Sequence, residues 1–171
     1  MDMATDPQLV WEPLGDLDHA RVKAFCLLCS DYYELTQRRV ADEGTAKELL
    51  GPLEASLSHG RKHVFGHVED GDLIAITELL EGHPGPRDWY LGLLLLRPDR
   101  RGNRLGTALG RSLLHWIASQ GAGEIRLVVQ DENQRALTFW KHLGFGVEKS
   151  MTRNTRGHDG LVWILRYEAS V

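Results

Sequence analysis

The stretch RPDRRGNRLGT, residues 97–107, joins two segments whose hydrophobic patterns are clear. The apolar run before it, residues 89–96, predicts a buried strand at the centre of a sheet. Apolar residues at helical spacing after it predict a helix over residues 104–120, which Gly121 ends. A second apolar strand follows at residues 124–129. Strand, glycine turn, helix and strand form a βαβ unit, whose strands are parallel and whose crossover is right-handed.

The residues before this unit predict a short strand and two helices. The strand is residues 9–11, and Asp16 can cap the first helix. The helical spacing then breaks at the segment DYYE, residues 31–34. Thr45 followed by Glu48 matches a capping box, which predicts the start of the second helix.

Two pairs of strands on either side of the βαβ unit complete the predicted fold. Before the unit, residues 64–68 and 73–80 pair around the turn dipeptide Asp70-Gly71. The predicted elements after the unit are a helix at 133–142 and strands at 145–151 and 161–167, linked through 157–160. The sequence therefore predicts a single α/β (α+β) domain over residues 1–171, with one mixed, mostly antiparallel sheet and helices on both faces.

Composition excludes several classes of protein. The net charge of −4 argues against a general nucleic-acid binder, which would usually be basic. No stretch approaches the roughly 18 consecutive apolar residues of a membrane helix, so we expect no membrane partner. The acidic start, residues 1–6, lacks the pattern of a signal peptide, and we therefore expect a cytoplasmic protein.

Two groups of potential metal ligands have plainer explanations. Cys26 and Cys29 form a C-x-x-C pair, which occurs in redox and zinc sites, but the apolar residues around them favour a buried helix. His59, His63 and His67 are spaced by four, as on one face of a helix, but the hairpin prediction places part of this segment in a strand. We therefore predict no metal site.

The turn at residues 97–107 carries the clearest chemical signal. Backbone N–H groups at the start of a helix are unpaired and carry partial positive charge, so they bind phosphate oxygens. Gly102 and Gly106 let a ligand approach those amides. Five arginines within fifteen residues add positive charge: Arg97, Arg100, Arg101, Arg104 and Arg111. The turn is neither a P-loop nor a G-x-G-x-x-G dinucleotide motif, and a glycine turn with solvated arginines is the plain alternative.

Two motifs together resemble the GNAT family of N-acetyltransferases. RGNRLG, residues 101–106, resembles the family's R/Q-x-x-G-x-G/A signature. NQRALTFWKHLGF, residues 133–145, resembles its second motif: an Asn, an Ala three residues later, an aromatic pair and then Leu-Gly-Phe. The order of predicted elements also matches over nearly the whole chain. The two motifs in this order and spacing are far more specific than either alone.

The resemblance implies acetyl-CoA as the acyl donor, held where the two parallel strands splay into a V. It implies that N–H groups of the turn bind the pyrophosphate, and that the strand edge and the second motif hold the pantetheine arm. The implied cofactor-binding residues are Leu94, Leu96, Arg101, Gly102, Asn103, Arg104, Leu105, Gly106, Thr107, Asn133, Phe139 and Trp140. A backbone N–H of Leu94 or Leu95 would polarise the thioester carbonyl.

Two positions depart from the family pattern. Arg104 stands where the family usually has glycine, and its backbone amide stays usable if the side chain turns outward. Trp140 stands where the family has the tyrosine proposed to protonate the departing thiolate. An indole N–H cannot give up its proton at useful pH. Either another group or water then protonates the sulfur, or the thiolate leaves without a proton.

The resemblance also implies an acceptor amine, from a small molecule or a peptide, which must lose a proton before it attacks. Glu78, late in its strand, is the candidate general base, with a surface carboxylate as the alternative. Tyr32, Tyr33 and Glu34 fall where the family's helix–helix loop lines the acceptor pocket, and a solvated loop is the alternative. Tyr90 is either a further pocket residue or a core residue.

The nature of the acceptor and the activity itself have alternatives. Acidic residues near the implied pocket suit a cationic acceptor, such as a polyamine, an aminoglycoside, a lysine or a protein amine. Because Trp140 replaces the expected acid, a CoA-binding regulatory or interaction module without turnover is a second hypothesis. A phosphate-binding domain unrelated to CoA is a third. Members of the family often pair, so a homodimer is a further expectation of the resemblance.

Overall fold

The computed structural model describes residues 9–53, 60–155 and 157–169 of the chain. The strands of this part are β1 (Trp11–Pro13), β2 (Arg61–Glu69), β3 (Asp72–Glu81), β4 (Asp88–Leu96), β5 (Glu124–Gln130), β6 (Gly146–Thr155) and β7 (His158–Glu168). Its helices are α1 (His19–Leu28), α2 (Ser30–Gln37), α3 (Glu43–Leu50), α4 (Leu105–Ser119) and α5 (Gln134–His142). Short 3₁₀ turns lie at Asp16–Asp18 and Pro98–Arg100.

All seven strands form one sheet in the order β1-β2-β3-β4-β5-β7-β6. The apolar strand β4 lies in the middle, as its composition predicts. The pair β4–β5 is parallel, and each other neighbouring pair is antiparallel. The predicted fold class, a mixed and mostly antiparallel sheet with a central parallel βαβ unit, is therefore confirmed.

The parallel pair β4–β5 comes apart soon after it begins. The two strands pair at only three positions, and the last of these is Tyr90 opposite Arg126. Beyond this point β4 stays paired with β3 as far as Leu96, and β5 stays paired with β7 as far as Gln130. The sheet therefore opens into a V between the C-terminal halves of two strands that are each held on their other side.

A β-bulge in β4 lies where the V begins. Glu78 of β3 faces Leu93, and the next residue, Leu79, faces Leu91, so Gly92 has no partner across the ladder. A bulge of this kind bends its strand and re-aims the side chains near it. Gly92 therefore marks the point at which β4 turns away from β5.

Helices cover both faces of the sheet. Helices α4 and α5 pack on one face, which we call the α4 face, where Leu113 and Ile117 meet Leu91 and Ile125 in the core. Helices α1 to α3 pack on the opposite α1 face, over a second cluster that includes Phe25. Alternation along each strand decides which side chains reach which face.

The segment predicted to break the first helix is itself helical, so this prediction is wrong. Residues 31–34 lie inside α2, and the interruption is confined to Cys29, whose φ and ψ are −98° and 23°. Tyr33 and Thr36, three residues apart on α2, are both buried. Burial of this face makes the segment helical, although its apolar spacing does not continue that of α1.

Several predicted element ends also differ. The cap of α3 is Asp42 and not Thr45: Asp42 Oδ1 accepts from the Thr45 N–H at 3.0 Å, and Thr45 Oγ1 accepts from the Asp42 N–H at 3.0 Å. Asp16 opens a 3₁₀ turn, and the first α-helix begins only at His19. Strand β7 begins at His158, so the link to β6 is shorter than predicted.

Both cysteines are buried, as predicted, with Cys26 inside α1 and Cys29 in the break between α1 and α2. Cys26 and Cys29 are free thiols with no exposed surface. Burial raises the pKa of Cys29 to about 12, and burial also raises the pKa of Cys26. Because the thiolate is the reactive form, these thiols are chemically inert in the folded protein.

Candidate active site

The turn before α4 presents a row of unused backbone donors. Its backbone is left-handed at Gly102, with φ 83°, and at Arg104, with φ 68°. The first helical hydrogen bond runs from the Ala108 N–H to the Arg104 carbonyl at 3.1 Å. Within the described ranges, no hydrogen bond uses the N–H groups of Gly102, Asn103, Arg104, Gly106 and Thr107. This turn can therefore donate several N–H groups to one anion.

Arg104 keeps the backbone that a glycine would adopt at the same place. A φ of 68° lies in the left-handed region, which favours glycine because a Cβ there is crowded. The Arg104 side chain is exposed, so it points outward from the turn. This matches the condition under which the backbone amide stays available.

Three of the five arginines around the turn are bound to carboxylates. Arg97 pairs with Asp99 at 2.8 Å and with Asp72 at 3.3 Å. The other two pairs are Arg100 with Glu69 and Arg101 with Asp31. The Arg101 guanidinium holds the pKa of Asp31 below its usual value. These arginines therefore fix the turn to β2, β3 and α2, and the attraction for an anion comes chiefly from the backbone.

The edge of β4 places two backbone groups in the V. The Arg97 N–H donates to the Ile74 carbonyl of β3 at 2.9 Å. Backbone N–H groups alternate sides along a strand. The Leu95 N–H therefore also points toward β3, whereas the N–H groups of Leu94 and Leu96 point into the opening. The prediction that the Leu95 N–H serves as an oxyanion donor is therefore wrong, and Leu94 has the suitable direction. The Leu96 carbonyl accepts from Arg101 Nε at 2.9 Å, so its N–H is the group left for a ligand.

Helix α5 forms the far wall of the opening. Asn133 caps this helix, since its Oδ1 accepts from the Ala136 N–H at 3.1 Å. Phe139 reaches across to the first turn of α4. A Cβ added at Gly106 would lie 3.6 Å from Phe139 Cε2 and 3.7 Å from Leu96 Cδ2. The missing side chain of Gly106 thus leaves a narrow space between α4, β4 and α5.

Trp140 lies in the core beside this wall. Its side chain is 6% exposed and packs edge-on against Phe139 and Phe145, with ring centroids 4.9 and 5.3 Å away. Its Nε1 has no hydrogen-bond partner in the described part of the chain, and it is not among the fully enclosed polar atoms. Trp140 therefore combines a packing role with one available N–H donor.

Glu78 lies over the bulge on the α1 face. Its Oε1 is 3.1 Å from the position of a Cβ added at Gly92, so the glycine leaves room for the carboxylate against β4. The Lys62 Nζ is 3.8 Å from Glu78 Oε2. Burial raises the pKa of Glu78, and Lys62 opposes that increase. Glu78 therefore lies next to the opening with its side chain partly exposed, and its role as a general base stays a prediction.

Two of the predicted acceptor tyrosines meet at Glu78. Tyr32 of α2 and Tyr90 of β4 are close enough for each to interact electrostatically with Glu78 and with the other. Burial raises the pKa of both hydroxyls, so both stay protonated at neutral pH. The structure therefore brings together three predicted residues from three separate elements.

The DYYE segment contains two further predicted acceptor residues, Tyr33 and Glu34. Tyr33 is 3% exposed, and its hydroxyl lies 3.4 Å from Cys26 Sγ in the core. Its predicted place in the acceptor pocket is therefore wrong, because the helix turns this side chain inward. Glu34 lies on α2 with its side chain exposed. The prediction had placed it in a loop, from which it could reach the pocket.

The structure adds three residues that sequence reasoning did not single out. Gly92 interrupts an apolar run, and an isolated glycine in a strand is a known signal of a bulge. Lys62 is held next to Glu78 by the carbonyls of Glu48 and Gly51, at 3.1 and 3.2 Å. Arg153 of β6 lies close enough to the Tyr90 hydroxyl to interact with it electrostatically. Neither Lys62 nor Arg153 carries a local sequence signal.

The predictions of no metal site and no membrane partner concern clusters of ligand side chains and long apolar helices. In residues 9–53, 60–155 and 157–169, no three histidine, cysteine or acidic side chains are grouped as metal ligands. His63 and His67 lie on strand β2, where a spacing of four residues is about 13 Å, and His59 lies outside the described residues. Helices long and apolar enough to cross a membrane are absent from the same ranges.

The chain matches the Acetyltransferase (GNAT) family over residues 25–145. Mycothiol acetyltransferase of Corynebacterium jeikeium is 32% identical over 109 residues, which are 63% of this chain and 32% of that protein. An uncharacterized N-acetyltransferase of Mycobacterium tuberculosis is 29% identical over 102 residues, which are 60% of this chain and 64% of that protein. The matched region is therefore less than two thirds of either relative's length.

Solved structures share the fold at low sequence identity. An acetyltransferase from Thermus thermophilus aligns with a TM-score of 0.69 and 22% identity, covering 91% of this chain and 95% of that one. Spermidine N-acetyltransferase from Vibrio cholerae, solved in complex with CoA and spermine, aligns with a TM-score of 0.73 and 17% identity, covering 96% and 97%. These likenesses establish the fold.

The backbone at Arg104 yields a stability prediction. We expect Arg104→Gly to keep the free energy of unfolding or raise it by up to about 1 kcal/mol, because glycine relieves a left-handed strain of about 1–2 kcal/mol while adding freedom to the unfolded chain. Arg104→Val should lower it by about 1–2 kcal/mol, since a β-branched residue is poorly accommodated there. Urea unfolding measures both changes.

Arg111 provides the matched control for this substitution. It is exposed within α4, where glycine costs about 1 kcal/mol relative to a good helix former. Arg111→Gly should therefore destabilise the protein while Arg104→Gly does not. Equal losses at the two positions would contradict the interpretation of the Arg104 backbone.

Proposed function

The chain belongs to the GNAT acetyltransferase family, and from that premise we propose that it transfers an acetyl group from acetyl-CoA to the amine of a small molecule or peptide. One observation carries the proposal: a single opening in the sheet has free backbone donors at one end and a half-buried carboxylate at the other. The donors suit an anionic cofactor, and the carboxylate suits an amine that must lose a proton.

The residues around the opening fit the cofactor. The N–H groups of Gly102, Asn103, Arg104, Gly106 and Thr107 are free to bind a diphosphate. The Leu94 and Leu96 backbone groups form a strand edge that can pair with an extended amide-containing chain. Gly106 keeps the space between them open. When bound, acetyl-CoA supplies the thioester whose acetyl group is transferred.

The Leu94 N–H is the proposed donor to the carbonyl oxygen on which negative charge develops. A backbone donor held by a paired strand needs no rearrangement during the reaction, and a donor of this kind typically contributes about 10²–10³ in rate. The partner strand β3 fixes Leu94 opposite Thr77, whose Oγ1 in turn donates to the Leu93 carbonyl at 2.8 Å. The donor is therefore rigidly placed.

Glu78 is the proposed base that takes the proton from the acceptor ammonium group. A primary amine has a pKa near ~10, so an ordinary carboxylate is a weak base toward it. Burial raises the pKa of Glu78, which brings the carboxylate closer to the amine in basicity. Tyr32 and Tyr90 can donate hydrogen bonds next to it, and the proton can pass directly or through water.

Trp140 can donate a hydrogen bond but not a proton to the departing sulfur. Its indole N–H is a donor only, and its packing against Phe139 and Phe145 holds the ring in place. We therefore assign protonation of the thiolate to water after it has left. The same residue favours a second candidate function, a CoA-binding regulatory or interaction module that lacks turnover.

The two candidate functions differ in a direct measurement. An acetyltransferase should release CoA from acetyl-CoA when a panel of amines is added, and the product should carry a new amide. A binding module should bind CoA tightly in calorimetry yet acetylate no member of the panel. That second outcome would reject the transferase proposal.

The space at Gly106 yields a binding prediction. Gly106→Leu should weaken acetyl-CoA binding by about 100-fold or more, because the new side chain fills the gap between Phe139 and Leu96. Isothermal titration calorimetry measures the affinity, and circular dichroism checks the fold. Gly146→Leu is the matched control, since no atom lies within 4 Å of a Cβ added there. Unchanged affinity in Gly106→Leu would reject the proposed binding site.

Glu78 yields a prediction about pH dependence. Because the base must be ionised, wild-type turnover should fall as pH drops through the raised pKa of Glu78. Glu78→Gln should lower turnover by about 10²–10⁴ and leave a rate that climbs with pH toward the amine pKa near ~10. Glu81→Gln is the control, because Glu81 lies on the same strand but bonds His63. An unaltered pH–rate profile in Glu78→Gln would remove Glu78 from the mechanism.

A further inference from the structure

We propose that the acceptor is a small amine that also carries a carboxylate, and that Arg153 binds this carboxylate beside Tyr90. The inference rests on the proposed function, because it names the acceptor class for the same site. It differs from the cationic acceptors that the sequence suggests. The argument depends on where the β6–β7 hairpin places Arg153, on the charges around it and on an unpaired acceptor at Gln130.

The hairpin places Arg153 on the α1 face, where Glu78 lies. Arg153 faces Gly160 across the β6–β7 ladder. Gly160 shares a face of β7 with Val162, which pairs with Gln130 of β5. Gln130 in turn donates from its Nε2 to the carbonyl of Thr36 on α2, which covers the α1 face. Arg153 and Gln130 also line one cavity between α2, the end of β5 and the hairpin.

The guanidinium of Arg153 points back toward the proposed reaction centre. It lies close enough to the Tyr90 hydroxyl to interact with it electrostatically, and Tyr90 interacts in the same way with Glu78 and Tyr32. The carboxylate of Glu78 and the guanidinium of Arg153 therefore both lie near Tyr90. A ligand with an amine near Glu78 and an anion near Arg153 can contact both.

Arg153 is a cation without a carboxylate of its own in the described part of the chain. The two carboxylates that line the same cavity have other partners: Glu132 pairs with Arg38 at 3.5 Å, and Asp159 accepts from Asn154 Nδ2 at 2.8 Å. Arginine cannot lose its charge in a protein, and its planar group suits a carboxylate in bidentate geometry. The uncompensated charge therefore favours an anion on the ligand.

Gln130 adds an independent indication of a polar ligand. Its Oε1 is enclosed and has no hydrogen-bond partner in the residues described. A buried acceptor without a partner costs about 1–3 kcal/mol, so a ligand that donates to it gains affinity. A polyamine would satisfy Gln130 and Glu78 but would meet repulsion from Arg153. An amino acid offers both a donor and an anion.

The test compares acceptors that differ only in the carboxylate. Four amino acids with different side chains are assayed at saturating acetyl-CoA. Each is compared with its carboxamide and with its decarboxylated amine. We expect kcat/KM for the amino acid to exceed that for the carboxamide by about tenfold or more, mainly through KM. Arg153→Gln should bring this ratio close to one, and Arg153→Lys should restore part of it, since lysine keeps the charge but not the planar group.

Lys149→Gln is the matched control, because it removes one positive charge from the same strand at an exposed position. It should keep the wild-type ratio. A wild-type ratio near or below one, or a ratio that Arg153→Gln leaves intact, overturns the inference.

Calorimetry with CoA present separates this inference from the proposed function. If amino acids bind in an Arg153-dependent manner but no acceptor is acetylated, the binding site is upheld and the transferase is rejected. Acetylation of decarboxylated amines, with no amino acid bound or preferred, would uphold the transferase and overturn the acceptor class. The absence of both binding and acetylation of every amino acid would also overturn the acceptor class.

Discussion

The pairing between β4 and β5 ends after Tyr90, and the geometry of the site follows from this interruption of the sheet. A buried strand normally pairs its backbone on both sides, because unpaired N–H and carbonyl groups are costly away from water. Here the bulge at Gly92 turns β4 aside, and the edge at Leu94 and Leu96 is left open. The strands that stay paired on their outer sides keep the opening from closing. The site therefore exists because the sheet is interrupted where a continuous one would be more stable.

The arginines around the turn before α4 contribute more to the rigidity of the site than to its positive charge. Arg97, Arg100 and Arg101 are each held by carboxylates on neighbouring elements. Attraction for an anion thus depends on backbone N–H groups fixed by the left-handed residues Gly102 and Arg104. Fixed backbone dipoles lose no side-chain entropy when a ligand binds, whereas long arginine side chains do.

The parts of the site that depend on local backbone are predictable from the sequence, and the parts that depend on distant side chains are not. The donor side depends on the local backbone at residues 101–107, so a contiguous motif encodes it. The same motif also allows the fold class to be predicted. The direction of Leu94 against Leu95 depends on the register with β3, which no local pattern reveals. The proposed acceptor side depends on side chains from separate elements, such as Tyr32, Glu78 and Arg153. Their meeting is set by tertiary packing, which also makes the DYYE segment helical.

Trp140 packs in the core at the position where the proposed mechanism would otherwise have a tyrosine hydroxyl. Its ring packs against Phe139 and Phe145, so the aromatic position serves stability whether or not it carries a hydroxyl. A thiol with a pKa near ~8.5 is a much stronger acid than an ammonium group near ~10, so a thiolate can leave before it is protonated. The demanding proton transfer is then the one from the amine. In the proposed mechanism a half-buried Glu78 with a raised pKa is matched to that transfer, and the absence of a tyrosine places more of the catalysis on the acceptor side of the opening.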